Sequence, residues 1–167
     1  SDFDSDKEKD YLRVLKEKMV DGVIYMSSSL EEETLNIINE LDLKTVLVET
    51  KDNEGRLPSV YIDNIEATYE ATKHLLDKGI KNIAFIGVDK SSANAWGDRY
   101  IGYKKALNEA GITIDEDLVY FEGLKVKSGY RASEKFLASG KNFDGIICAS
   151  DEIAMGAING LREKGVN

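Results

Sequence analysis

The chain has 167 residues, 42% hydrophobic and 32% charged, which suits one globular domain or two small lobes that share crossing strands. Acidic side chains outnumber basic ones by 31 to 22, for a formal charge of -9 with no Lys/Arg-rich stripe, so this segment by itself is not expected to bind nucleic acid. No run is long and apolar enough to span a membrane, and a single cysteine, Cys148, excludes an intrachain disulfide and fits a reducing compartment.

The opening S-D-F-D-S-D-K-E-K-D is acidic and polar, unlike a secretory leader, and reads as a chain entered partway through a larger fold. A helix is predicted over residues 6–18, with Tyr11, Leu12, Val14, Leu15 and Met19 toward one side. A strand follows at 22–26. The next helix, 30–40, sets Leu35, Ile38 and Leu41 at helical spacing, and Glu31, Glu32 and Glu33 suit its positive end. A second strand covers 45–49. The loop 51–58 carries the only proline, Pro58, and a lobe boundary is placed just beyond it, dividing 1–62 from 63–167.

After that boundary the rhythm restarts. Val60-Tyr-Ile-Asp-Asn64 reads as a strand end. Helices are predicted at 65–78, 98–110, 128–139 and 151–164, with strands at 82–87, 118–122 and 145–150. The four helices stop at Gly79, Gly111, Gly140 and Gly165, a consistent C-terminal capping signal. The strands are nearly continuous in apolar character, as expected of strands buried on both faces. Alternating strands and helices imply the α/β class, a parallel sheet with right-handed crossovers. Val20-Asp-Gly-Val-Ile24 also echoes Phe143-Asp-Gly-Ile-Ile147, a short match that two similar lobes or chance would explain.

Few residues suggest chemistry. Arg99 follows a polar loop and opens a helix, where a planar, permanently charged fork suits hydroxyls, carboxylates or phosphates; a surface ion pair is the plainer role. Trp96 lies in that loop, an exposed position more often functional than structural. Ser150 and Asp151 end a strand and open a helix, where Asp151 has a sufficient role as a cap. His74 lies on a helix beside Leu75 and Leu76 and reads as a partly buried helix residue without a nucleophile to serve. One Cys and one His make no zinc site, and residues 87–92 lack phosphate-loop spacing. No catalytic constellation is evident, and no metal or cofactor is expected.

A series of segments carries a resemblance: V-D-G-V-I-Y-M-S at 20–27, P-S-V-Y-I-D-N at 58–64, A-T-K-H-L-L-D-K-G at 71–79, K-N-I-A-F-I-G at 81–87, R-Y-I-G-Y-K-K-A-L at 99–107, S-G-Y at 128–130 and S-D-E-I-A-M-G-A at 150–157. In order and spacing they resemble the effector-binding domain of the LacI/GalR family of bacterial transcription regulators. The resemblance implies a two-lobed, periplasmic-binding-protein-like fold with parallel sheets flanked by helices, incomplete here at both ends. It implies a repressor domain that binds a small polar effector, a sugar or related metabolite, in an interlobe cleft. Such a protein would be a cytoplasmic homodimer, not an enzyme, and would bind operator DNA only through a helix-turn-helix headpiece that this chain lacks.

By the same resemblance Arg99 stands at an effector-contacting position. Ser150 stands where relatives often carry a ligand-bonding Asn, and serine is shorter. Leu124 stands where relatives often stack an aromatic ring; Trp96 is a possible substitute. Met26 and Ser28 follow a strand after which relatives place ligand contacts. Glu49 and Asp63 lie near acids that relatives use at the cleft or between lobes. The rival expectation is an exported sugar-binding protein of an ABC uptake system, which shares the fold.

Overall fold

Strand and helix alternate along residues 5–27, 30–88 and 94–166, the part of the chain described by a computed structural model. Two units divide the chain, one ending at Ile62 and the other starting at Asp63.

The first unit contains α1 (Ser5–Glu17), β1 (Val23–Met26), α2 (Glu32–Glu40), β2 (Thr45–Val48) and β3 (Ser59–Val60). Its three strands are parallel in the order β1-β2-β3, with Val23 opposite Thr45 and Val48 opposite Val60. Leu12 of α1 and Ile37 and Ile38 of α2 form a core with Leu43, and Leu47 is fully buried. Tyr25 faces α1, where its hydroxyl donates to the Glu8 carboxylate at 2.6 Å.

The other face of this sheet departs from the expectation of burial on both sides. Ile24, Met26 and Val60 are 76%, 68% and 66% exposed. Neighbouring residues alternate in and out along β1 and β2. Side chains alternate across a strand, so residues that are apolar on both faces need two covering layers. Among the described residues α1 and α2 supply one.

The second unit contains α3 (Asn64–Asp77), β4 (Ile83–Gly87), α4 (Ala95–Glu109), a 3-10 turn (Glu116–Leu118), β5 (Val119–Phe121), α5 (Val126–Ala138), β6 (Gly145–Cys148) and α6 (Asp151–Glu163). Its parallel sheet has the order β5-β4-β6. Here the two-sided burial holds: every residue of the central β4 is buried. The β4-to-β5 and β5-to-β6 connections run in opposite directions, so right-handed crossovers put α4 and α5 on opposite faces. Helices pair as α3 with α4 and α5 with α6.

Both helix pairs approach through glycine. A Cβ on Gly102 of α4 would meet the carbonyl of Ile65 in α3, one on Gly129 of α5 the carbonyl of Ile153 in α6, and one on Gly156 the carbonyl of Val126. Between β4 and α4 an aromatic cluster fills the core: Phe85 lies 5.1 Å from the Tyr100 ring and 5.0 Å from that of Tyr103. The Tyr103 hydroxyl donates to the Ile83 carbonyl at 2.8 Å, so its polar atom is satisfied in the core. Burial raises its pKa above the usual phenol range.

The four helix-ending glycines all adopt positive φ, as at Gly79 (85°), where the left-handed turn suits a residue without Cβ. The third strand, β3, is only two residues long. It pairs where Leu47 N–H donates to the Pro58 carbonyl and Glu49 N–H to that of Val60.

Candidate functional site

In the second unit the strand order reverses at β4, whose neighbours β5 and β6 lie on opposite sides. Open α/β sheets bind ligands beyond the carboxyl ends of their strands at such a switch point. The helices that follow β4 and β6 both begin at this end, with their positive N-terminal poles and N–H groups. Asn94 caps α4, its side chain accepting from the N–H groups of Trp96 and Gly97 at 3.0 Å each. Ser150 caps α6, its Oγ accepting from Ile153 N–H at 3.3 Å.

Arg99 lies in the second turn of α4 and is held by several contacts, three of them to described residues on different parts of the fold. Its Nε donates to Asn64 Oδ1 at 2.9 Å. Its Nη1 donates to the Ala149 carbonyl, directly after β6. Its guanidinium lies over the Trp96 ring, 4.8 Å from the centroid. The Ala149 N–H in turn donates to the Ile86 carbonyl at 2.8 Å, tying the β6–α6 junction to β4. A fixed cation therefore stands at the switch point.

Val88, Phe121 and Leu124 pack against the core. At the end of β5, Glu122 accepts from Arg131, which lowers its pKa, so it is ionised at neutral pH and spent in that pair. Cys148, at the end of β6, is half-buried, and burial pushes its thiol up to about 11. It stays protonated at neutral pH and makes a poor nucleophile.

Several sequence expectations are corrected. Trp96 is not in a loop: α4 starts at Ala95, which puts Trp96 one turn before Arg99 on the same helix. One face of its ring carries the Arg99 guanidinium, so the ring braces the arginine. Ser150, not Asp151, is the cap of α6; Asp151 is the first helical residue, exposed, with its carboxylate accepting from Glu152 N–H at 3.0 Å. Asp63 caps α3, accepting from Glu66 N–H at 3.0 Å. Leu124 is half-buried against the core. His74 is exposed on α3 rather than partly buried.

Met26 and Glu49 belong to the first unit. Met26 ends β1, and Glu49 follows β2 with a left-handed backbone (φ 68°). Ser28 lies outside the described residues. A cavity of about 560 Å³ in the first unit opens at the opposite, amino-terminal end of β1 and β2, beside Gly22, Lys44 and Pro58, and none of the expected contacts lines it.

The sequence reading missed Asn64, Asn94 and Ala149. For Asn94 a signal existed: an Asn directly before an apolar pair is a helix start. Gly97 obscured it by reading as a continuation of the loop.

A parallel α/β unit that holds a guanidinium at its switch point has the layout in which open α/β sheets place their ligand sites. Residues 1–167 match the family of periplasmic binding proteins and the sugar binding domain of the LacI family, and the chain belongs to that family. It is 66% identical over 163 residues to the HTH-type transcriptional regulator RegA of Clostridium saccharobutylicum, covering 98% of this chain and 49% of that protein. The crystal structure of the transcription regulator CcpA of Lactococcus lactis superposes with a TM-score of 0.83 at 36% identity, over 100% of this chain and 60% of that one. A transcriptional regulator CelR–cellobiose complex matches at 27% identity and a TM-score of 0.82, over 98% of this chain and 50% of that one. The chain spans about half the length of the curated relatives it matches.

Proposed function

We propose that this chain is the effector-sensing part of a DNA-binding transcription regulator, and that its effector is a small polar metabolite, a sugar or a sugar derivative. The observation that carries the reading is Arg99, fixed by Asn64, Ala149 and Trp96 at the carboxyl ends of β4 and β6. A planar fork there donates to hydroxyls or anionic oxygens, and helix N-termini favour the same groups. Membership of a family with a sugar binding domain supports the sugar class, as does the cellobiose in a related regulator.

Ser150 and Asp151 at the start of α6, Leu124 after β5 and Trp96 complete the proposed contact set of the second unit. Met26, Ser28, Glu49 and Asp63 are proposed as further contacts. The effector acts by binding one conformation better than another, and that difference in affinity is what changes DNA affinity. The acidic balance of this chain leaves operator binding to other parts of the protein. The regulator is proposed to be a cytoplasmic homodimer. Its matches to regulators do not favour the exported uptake protein.

The test is Arg99→Ala in the complete protein. A thermal-shift panel of monosaccharides, disaccharides, sugar phosphates and purines first selects a binding compound. Calorimetry with that compound should show affinity reduced at least about tenfold in the variant, the worth of a charge-assisted bond, with an unchanged circular dichroism spectrum. Unchanged affinity overturns the assignment of this site.

A further inference from the structure

An arginine with several rotatable bonds is useful in a binding site only if something holds its head group still. Two of the three anchors of Arg99 belong to the framework: the Trp96 ring is on the same helix, and Ala149 contributes a backbone carbonyl. The third is the only side-chain acceptor among the three. Asn64 Oδ1 takes the Nε–H at 2.9 Å, and Asn64 itself is 8% exposed.

The place of Asn64 in the fold sharpens this. It is the first residue of α3, directly after the capping position, where a short polar side chain commonly serves the helix itself. That duty is performed by Asp63, which accepts from Glu66 N–H. The buried Asn64 carbonyl oxygen is spent on Arg99, across the interface between α3 and α4. The bond also selects one edge of the guanidinium. With Nε directed to Asn64 and Nη1 to Ala149, the plane of the fork is set by two acceptors on different elements.

We infer that Asn64 is a positioning residue, which aims the Arg99 guanidinium at the effector without touching the effector itself. The inference rests on the reading of Arg99 as an effector contact. Its own claim, that Asn64 immobilises Arg99, is tested without a ligand.

The complete protein and its Asn64→Ala and Asn64→Asp variants are treated with phenylglyoxal, which modifies arginine. Peptide mass spectrometry then gives the rate at Arg99 and, as an internal control, at Arg131. Asn64→Ala should raise the Arg99 rate about tenfold, the factor a charge-assisted hydrogen bond supplies, and leave Arg131 unchanged. Asn64→Asp retains an acceptor at the same reach and should restore the slow rate at Arg99.

An unchanged Arg99 rate in Asn64→Ala overturns the inference. So does a parallel rise at Arg99 and Arg131, which reports general loosening, or a fast rate in Asn64→Asp as well. These results are separate from the calorimetry of Arg99→Ala, so failure of the positioning claim and failure of the binding reading are distinguishable.

Discussion

At the scale of single residues, the first unit contains a dense charge cluster around Asp52 and Arg56. The Asp52 side chain is 2% exposed, yet its carboxylate accepts from the N–H groups of Glu54 and Arg56 and from the Arg56 guanidinium. Arg56 also grips Glu32 at the start of α2 through two bonds, 2.7 and 3.1 Å long. Hydrogen bonding from Arg56 holds the Asp52 carboxyl at about 2, below its ordinary 3.8. The ionised form is therefore favoured by folding. Its contribution is fully present above the ordinary value and is lost as pH falls through about 2. Glu32 is shifted the same way, again chiefly by hydrogen bonding from Arg56. Urea midpoints should show wild type more stable than Asp52→Asn at neutral pH. The gap should close between about pH 4 and about pH 2; a gap independent of pH would contradict the assignment. Ser150 shows another residue-scale lesson. Its hydroxyl already caps α6, so the expected ligand role must share an oxygen with a structural one.

At the scale of elements, the α5–α6 pair of the second unit is set by what is absent from Gly129 and Gly156. Removing Cβ lets a backbone carbonyl of one helix lie directly on the other. Gly156→Ala should cost at least about 2 kcal/mol, because the obstacle is backbone rather than a side chain that can turn aside. Thermal unfolding would measure it, and a neutral result would mean that α5 and α6 separate easily. The packing was not readable beforehand: S-G-Y and A-M-G-A contributed only to a resemblance, and no periodicity tells a contact glycine from a tolerated one. Helix ends were readable, because glycine after an apolar-periodic stretch has one common physical use. The start of α4 was not, since Asn94 and Gly97 both belong to the vocabulary of loops. That three-residue error moved Trp96 from a loop to the helix face that braces Arg99. Arg99 itself was legible as a cation after a strand and loop. Its anchors were not, because Asn64 and Ala149 approach it only through the fold.

At the scale of the whole molecule, the two units differ in how completely their sheets are covered. Apolar runs identified the strands in both, but a run cannot say whether its second face is covered. The second unit buries β4 on both sides, whereas the first leaves Ile24, Met26, Val46 and Val60 on an open face. An exposed apolar patch of this kind binds hydrophobic dyes. The 167-residue chain alone should enhance the fluorescence of such a dye, and Ile24→Ser combined with Val60→Ser should reduce the enhancement. Equal emission from the two proteins would place the dye elsewhere.

Ala149 has a consequence for any survey of substitutions. Arg99 is anchored there by a main-chain oxygen, which every amino acid possesses. This part of the polar grip on the arginine is thus hidden from mutational scanning. Position 149 will register as intolerant of bulk, since the residue is 3% exposed, and its hydrogen bond will leave no trace in the pattern. Position 64 will register by chemistry, accepting side chains that present an oxygen at the right reach. Two partners of one guanidinium would thus look unrelated in such data.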